Sequence, residues 1–225
     1  AEGFGSRMLP ITVNTPKPLV RVHGVRFIDR LIDAVIAAGI DEIYVVRGYL
    51  KEEFDQLIAK YPQIHFIDND IYNETNNISS AVAAKSFFQN AYAFESDLYL
   101  TDPSYITKYQ YRSNYLAFPV ESTDDWYFDV NDAGSITKIS KGSDHACWQM
   151  VGLSYWTAED GKKLEQDLPR AFDASEENRQ IFWDEVPLRE AADNYDVVVR
   201  QCDPTHIIEI DSFAELQEVD EAYRY

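Results

Sequence analysis

The sequence predicts an α/β protein whose first half is built from βαβ units and whose second half adds an antiparallel extension. Short β-branched runs at residues 42–47 and 64–67 alternate with helical stretches at 27–36 and 51–60. Strands spaced by helices of that length pair in parallel, with helices covering both faces of the sheet. Over residues 115–156 the spacing changes to strand, turn, strand, with a turn at Asn131-Asp132-Ala133-Gly134. Ligands of parallel α/β sheets bind at the carboxyl ends of the strands, so chemistry is sought there.

The chain opens on Gly3-Phe4-Gly5-Ser6-Arg7-Met8-Leu9-Pro10-Ile11-Thr12, followed by Pro16-Lys17-Pro18-Leu19. Two glycines one residue apart let the backbone turn tightly and approach a ligand. Ser6, Arg7 and Lys17 bring a hydroxyl and two cations for phosphate oxygens. Only Ala1 and Glu2 precede this loop, where folds of this kind have a buried strand. The expectation is that this first strand is missing from the chain or that another element fills its place.

Phe27, Ile28, Leu31, Ile32, Val35 and Ile36 recur at helical spacing, and Gly39 stands where a helix would stop. Glu42–Arg47 reads as a buried strand, Lys51–Lys60 as a helix ended by Pro62, and Ile64–Ile67 as the next strand. The polar run Asp68–Asn77 reads as a loop, with a helical stretch from Ile78 to Phe88. Within it Asn76, Asn77, Ser79 and Ser80 fit either a helix cap with its first turn or a set of donors and acceptors for a nucleobase edge.

Tyr92–Phe94 reads as a strand ending in Glu95-Ser96-Asp97. Ile207–Asp211 is another β-rich run that ends in a carboxylate, with Ser212 and Glu215 placed as a capping box. A carboxylate at a strand end is where a hard cation could meet phosphate oxygens, which makes Asp97 and Asp211 the candidate metal ligands. Between these runs, Tyr115–Val120, Trp126–Val130, Ser135–Ser140 and Trp148–Trp156 read as strands, Glu159–Leu168 and Arg179–Ala192 as helices, and Tyr195–Gln201 as a strand. Pro187 is expected to bend or interrupt the second helix.

With 225 residues the chain fits one domain, 1–225, with a nucleotide-binding half at 1–110 and an acceptor half at 111–225. Its 20 basic and 39 acidic residues leave a net charge of -19, which argues against nucleic acid or an anionic membrane as partner. Residues 1–50 hold six basic and five acidic side chains, so this part is +1 and the remainder -20. Phosphate chemistry therefore belongs at the front, and the acidic remainder suits metal ions or a cationic substrate. Cys147 and Cys202 lack metal or disulfide spacing, which makes a reducing cytoplasm the simplest location. No apolar run is long enough to insert in a membrane. His23, His65, His145 and His206 are scattered without ligand spacing.

The string G-F-G-S-R-M-L-P-I-T with P-K-P-L resembles the signature loop of sugar-phosphate and choline-phosphate nucleotidyltransferases. V-R-G-Y-L-K-E-E-F, N-N-I-S-S, E-S-D-L, T-D-D-W, Q-M-V-G-L-S-Y-W, F-W-D-E-V and E-I-D-S-F follow in order along nearly the whole chain. With them the chain is similar to the CTP:phosphocholine cytidylyltransferases of bacterial choline pathways; Glu2 departs from the family's small residue before the first glycine.

The resemblance implies a Rossmann-like three-layer fold with a mixed, mostly parallel central sheet and a small antiparallel extension. It implies that Gly3, Phe4, Gly5 and Ser6 wrap the CTP triphosphate, that Arg7 and Lys17 are catalytic, and that Asn76, Asn77, Ser79 and Ser80 border the base. Asp97 and Asp211 would hold Mg2+, and Trp126, Tyr155, Trp183, Asp184 and Glu209 would bind the acceptor. A quaternary ammonium cannot donate a hydrogen bond, so aromatic faces beside carboxylates suit it. The implied reaction is in-line attack of phosphocholine on the α-phosphorus of CTP, giving CDP-choline and pyrophosphate, with a choline kinase as a possible fused or cooperating partner. Alternatives are 2-aminoethylphosphonate or a sugar 1-phosphate as acceptor, or a nucleotide-binding regulatory module without turnover.

Overall fold

The computed structural model describes residues 3–224, so the departure at Glu2 lies outside the described residues. The chain forms two compact units: residues 1–73, 95–108 and 205–225 make the first, and residues 74–94 and 109–204 the second. The halves 1–110 and 111–225 do not coincide with these units, because the chain crosses between them four times.

In chain order, the first unit begins with the loop 3–16 and a short 3-10 turn at Lys17–Leu19. A two-residue hairpin follows, β1 (Arg21–Val22) and β2 (Val25–Arg26), and then helix α1 (Phe27–Ala37). The helix buries Phe27, Ile28, Leu31, Ile32 and Val35, the stripe its spacing predicts, and stops before Gly39 at φ 76°. Strands β3 (Ile43–Arg47) and β4 (Ile64–Asp68) pair in parallel, Ile43 opposite Ile64.

The predicted helix at 51–60 is instead a 3-10 segment, Lys51–Leu57. Leu50 enters it at φ 48° with no capping side chain, and Arg47 Nη1 takes the Lys51 carbonyl at 3.1 Å, an acceptor that an α-helix would have used.

The second unit starts with α2 (Ile78–Ala83) and β5 (Ala91–Phe94). The chain then returns to the first unit for β6 (Leu98–Leu100). Back in the second unit come β7 (Asn114–Val120), β8 (Thr123–Val130), β9 (Ile136–Ser143), β10 (Cys147–Trp156), α3 (Ala158–Phe172) and β11 (Val198–Gln201). The sheet order is β11-β7-β10-β8-β9, with β5 also on β10, and every pair is antiparallel except β7 with β11. One face packs on α2 and α3 through Tyr115, Phe128, Trp156, Leu164 and Leu168.

The helix expected at 179–192 is corrected to a 3-10 turn (Glu177–Gln180) and a five-residue π turn (Val186–Glu190). Pro187 has no N–H for a helical bond, and the Phe182 N–H donates to the Glu185 carboxylate rather than to a preceding carbonyl.

The first unit closes with β12 (Ile207–Glu209), antiparallel to β6, and with α4 (Phe213–Val219). The expected capping box between Ser212 and Glu215 is complete in both directions. The fold is α/β with mixed sheets, its parallel pairing among the described residues confined to β3–β4 and β7–β11. No described helix is long and apolar enough to cross a membrane, and both cysteines are free and buried.

Candidate active site

In the first unit the glycine loop and the P-K-P-L turn are shaped by local packing. Gly5 sits at φ 62°, and a Cβ there would stand 3.0 Å from Thr12 Cγ2, so glycine is favoured on both counts. The Thr12 hydroxyl donates to the Gly5 carbonyl at 2.8 Å and closes the loop, while Met8 plugs it into the core with Val20, Val22 and Phe27. Pro16 and Pro18 stiffen the next turn, whose buried Leu19 anchors it. The same turn aims Lys17 inward, leaving its side chain only 11% exposed.

Lys17 Nζ bridges Asp97 Oδ2 and Asp211 Oδ1, each at 2.6 Å. Arg7 reaches Asp211 Oδ2 at 2.8 Å from a far more exposed position. Pairing decides this meeting of distant residues. Glu209 of β12 stands opposite Leu98 of β6 in antiparallel register, which brings the residue before β6 and the residues after β12 to one end of the ladder. Asp97 was expected at the end of a parallel strand. It instead precedes β6, and β5 before it pairs antiparallel with β10.

Burial by itself would lower the Lys17 pKa, but the charge of Asp97 and the hydrogen bonds to both carboxylates outweigh it and hold it above the usual lysine value. Burial works to raise the Asp211 carboxyl, and Lys17, with Arg7, overcomes that and keeps it below the usual range. Lysine and aspartate are thus both charged at neutral pH.

Carboxylate oxygens of Glu95, Asp97 and Glu209 lie within 4.8 Å of one another. Asp97 Oδ1 is buried without a hydrogen-bond partner. Hard oxygen donors with an orphaned carboxylate oxygen fit a magnesium-type cation. This grouping differs from the sequence expectation in two ways: Glu209, expected among the acceptor contacts, stands with Asp97, and Asp211 is held by Lys17 and Arg7. Sequence reasoning passes over Glu95, although the string E-S-D-L carries it two residues before Asp97, a spacing that puts both on one side of an extended chain.

The second unit holds the remaining expected residues. Asn76, Asn77 and Ser79 are engaged in fixing their own turn. Asn76 accepts from the Asn77 N–H and donates from Nδ2 to the Gln180 carbonyl, Asn77 Oδ1 accepts from the Trp183 N–H, and the Ser79 hydroxyl bonds the Asn76 carbonyl. These are the bonds of a helix start tied to residues 180–183, and Ser80 is buried behind them.

The aromatic residues fall into separate contacts. Trp126 meets Phe182 edge to face at 5.2 Å, and Tyr155 meets Tyr92 at 5.0 Å. Trp183 packs among Phe88, Tyr115 and Trp156 at 5.3–6.4 Å. Asp184 is buried, and the Tyr115 hydroxyl donates to it at 2.5 Å.

Burial, aided by the nearby Glu185 charge and opposed by the Tyr115 hydrogen bond, pushes the Asp184 carboxyl from 3.8 up to about 7. A carboxyl raised in the fold binds its proton more tightly there than in the unfolded chain. Its contribution to stability is therefore fully present below about pH 4 and is lost as pH rises to about 7. Asp184→Asn keeps an acceptor for Tyr115 and removes the ionisation. We expect it to flatten the decline and to gain on the order of 2–4 kcal/mol at pH 8, read from urea unfolding at pH 5 and pH 8. Parallel pH dependence in the two proteins would contradict the burial of this acid.

Residues 1–122 match the model of a family described as nucleotidyl transferase. Over its whole length the chain is 39% identical to the 2-aminoethylphosphonate cytidylyltransferase of Lancefieldella rimae, of which it covers 92%. It is 30% identical to the choline-phosphate cytidylyltransferase of Streptococcus pneumoniae, across 98% of this chain and 95% of that protein. The solved structure of CTP:phosphocholine cytidylyltransferase from Streptococcus pneumoniae superposes with a TM-score of 0.89 at 30% identity, over 100% of this chain and 96% of that one. Apo UDP-glucose pyrophosphorylase, at 16% identity and a TM-score of 0.73 over 99% of this chain and 95% of that one, shares the fold.

Proposed function

The chain belongs to the nucleotidyl transferase family, and from that premise we propose that it transfers CMP from CTP to a small aminated phosphonate or phosphate, with 2-aminoethylphosphonate the foremost acceptor. An ionised acceptor oxygen attacks the α-phosphorus, the new P–O bond forms as the bond to the β-phosphate oxygen breaks, and pyrophosphate leaves with that electron pair. The nucleophile is already anionic at neutral pH, so no general base is required. Catalysis reduces to alignment and to placing positive charge by the phosphates.

The loop from Gly3 to Ser6 cradles the triphosphate, with Lys17 as a fixed cation and Arg7 as a more exposed one. Asp97, Glu95 and Glu209 would hold a divalent cation, which when bound neutralises phosphate charge. Asn76, Asn77, Ser79 and Ser80 remain the residues proposed for the base on the strength of the resemblance. The single observation that carries the phosphate chemistry is Lys17, nearly buried yet held charged between Asp97 and Asp211.

Two observations favour the primary amine over the quaternary one. The relative with 39% identity across the full chain is named for 2-aminoethylphosphonate. Asp184, expected to face a choline cation, is buried and engaged by the Tyr115 hydroxyl, which leaves an aromatic cage for a quaternary ammonium without that carboxylate. A primary ammonium needs hydrogen-bond acceptors rather than aromatic faces, and the exposed Asp124 and Asp125 beside Trp126 supply carboxylates. The Trp126–Phe182 pair favours a second reading, phosphocholine, because two aromatic rings side by side can receive a methylated ammonium.

Pyrophosphate release from CTP with 2-aminoethylphosphonate, phosphocholine, phosphoethanolamine and a hexose 1-phosphate separates these readings. The expected result is the highest kcat/KM with 2-aminoethylphosphonate. Faster turnover of phosphocholine would select the second reading, and CTP binding without turnover of any acceptor would leave a nucleotide-binding module.

A further inference from the structure

The glycine loop is pinned at its middle by the buried Met8 and is otherwise held by hydrogen bonds inside itself, with few polar contacts to other segments. Met8 N–H bonds the Gly5 carbonyl, Leu9 N–H the Ser6 carbonyl and Val13 N–H the Pro10 carbonyl, and Thr12 closes back on Gly5. Among the described residues, the polar side-chain contacts that tie residues 3–13 to another segment come from two places. One is Arg7 with Asp211, at an arginine that is 69% exposed and so weakly held. The other is Tyr49.

The Tyr49 hydroxyl lies 3.2 Å from the Thr12 carbonyl and 3.1 Å from the Val13 carbonyl, donating to the two together. Its ring packs on Phe4 with centroids 4.6 Å apart. The two ends of the loop thus rest on one side chain, while Phe4, Leu9 and Val13 otherwise stand out from the surface.

The support beneath Tyr49 is rigid. It stands two residues beyond the end of β3, where Arg47 is tied to Asp68 and Asp55 at 2.6 Å each. Gly48 lies so close to Tyr72 that a Cβ would meet its ring carbon at 2.6 Å. On the other side Leu50 is locked at φ 48°. A held ring therefore bears on both ends of a loop whose core anchors, Met8 and Ile11, lie between those ends.

We propose that Tyr49 is a positioning residue for nucleotide binding: it clasps the first and last residues of the glycine loop and keeps the phosphate cradle in its binding shape before CTP arrives. This rests on reading that loop as the triphosphate site. A preorganised loop spares the ligand the cost of ordering it. Since Tyr49 touches the loop and not the reacting atoms, its loss removes ground-state and transition-state binding alike, which raises KM and leaves kcat in place.

The test compares Tyr49→Phe, which keeps the ring against Phe4 and loses the hydroxyl, with Tyr49→Ala, which loses both. The expected result is a rise in KM for CTP of about three- to tenfold for Tyr49→Phe, the worth of a hydrogen-bond contact, and a larger rise for Tyr49→Ala. The acceptor KM and kcat should stay within about twofold. Amide hydrogen exchange of residues 4–13, measured without nucleotide, should quicken in the same order. An unchanged CTP KM in both variants, a matching rise in the acceptor KM, or unaltered exchange at 4–13 would overturn the proposal. If the parent protein turns over no acceptor with CTP, the nucleotide reading has failed, and the exchange measurement still decides whether Tyr49 holds the loop.

Discussion

Lys17→Ala is expected to slow CMP transfer by about 10²- to 10³-fold, the usual consequence of removing one fixed charge from an oxyanion site. The expectation follows from burial and charge together. The ammonium is 11% exposed and bridges two carboxylates at 2.6 Å, so it occupies a defined position and stays protonated. Cytidine binding should change far less, because this charge acts on phosphate and not on the base. Removing it also leaves Asp97 and Asp211 facing each other without a cation, so the melting temperature should fall; breaking a buried pair from one side costs about 3–5 kcal/mol when fully buried and less at this partial exposure. Lys17→Arg should rescue little, since a planar fork cannot occupy the point between two carboxylates as an ammonium does. The checks are steady-state rates and thermal unfolding of both variants. Wild-type turnover by Lys17→Ala would return this lysine to a purely structural role.

Asp97→Asn is expected to lower turnover by several kcal/mol of transition-state stabilisation, roughly 10²-fold or more, and to raise the magnesium concentration required for half-maximal rate. Asp97 is the shared member of both local sets, bonded to Lys17 through Oδ2 and standing with Glu95 and Glu209. Its other oxygen is buried and unpartnered. Asp211→Asn should also impair turnover but differ in kind. Asp211 is held by Lys17 and Arg7, so its loss should disturb the cations more than the magnesium requirement. A magnesium titration of the two variants, with binding of the metal alone followed by calorimetry, separates them. Asp97→Asn with parent-like rate and parent-like magnesium affinity would remove it from the metal site.

Much of the local architecture was legible in the residues. The apolar stripe of α1 has helical period, Ser212 and Glu215 stand at capping-box spacing, and the glycines of the opening loop mark a backbone that must turn. Each of these is a short-range preference and needs no knowledge of the rest of the chain. The segments at 51–60 and 179–192 were misread as helices because propensity cannot see a competing partner. In the first, Arg47 takes a helical carbonyl; in the second, Glu185 takes the Phe182 N–H ahead of Pro187.

The sequence by itself determined the family, and it singled out the glycine loop with Arg7 and Lys17 and the acids Asp97 and Asp211 as the residues proposed for phosphate chemistry, since these are carried by residue types in short strings. Only the tertiary structure decided that Lys17 bridges those two acids, that Glu209 joins Glu95 and Asp97, and that Asp184 turns inward to Tyr115. These facts depend on which strands pair and in what register. β6 and β12 are far apart in the chain, and their antiparallel ladder is selected by the packing of the whole first unit, a long-range choice that local pattern leaves open. The pKa of Asp184 is likewise a property of its surroundings: an aspartate is an ordinary acid until the aromatic residues of the second unit exclude water from it.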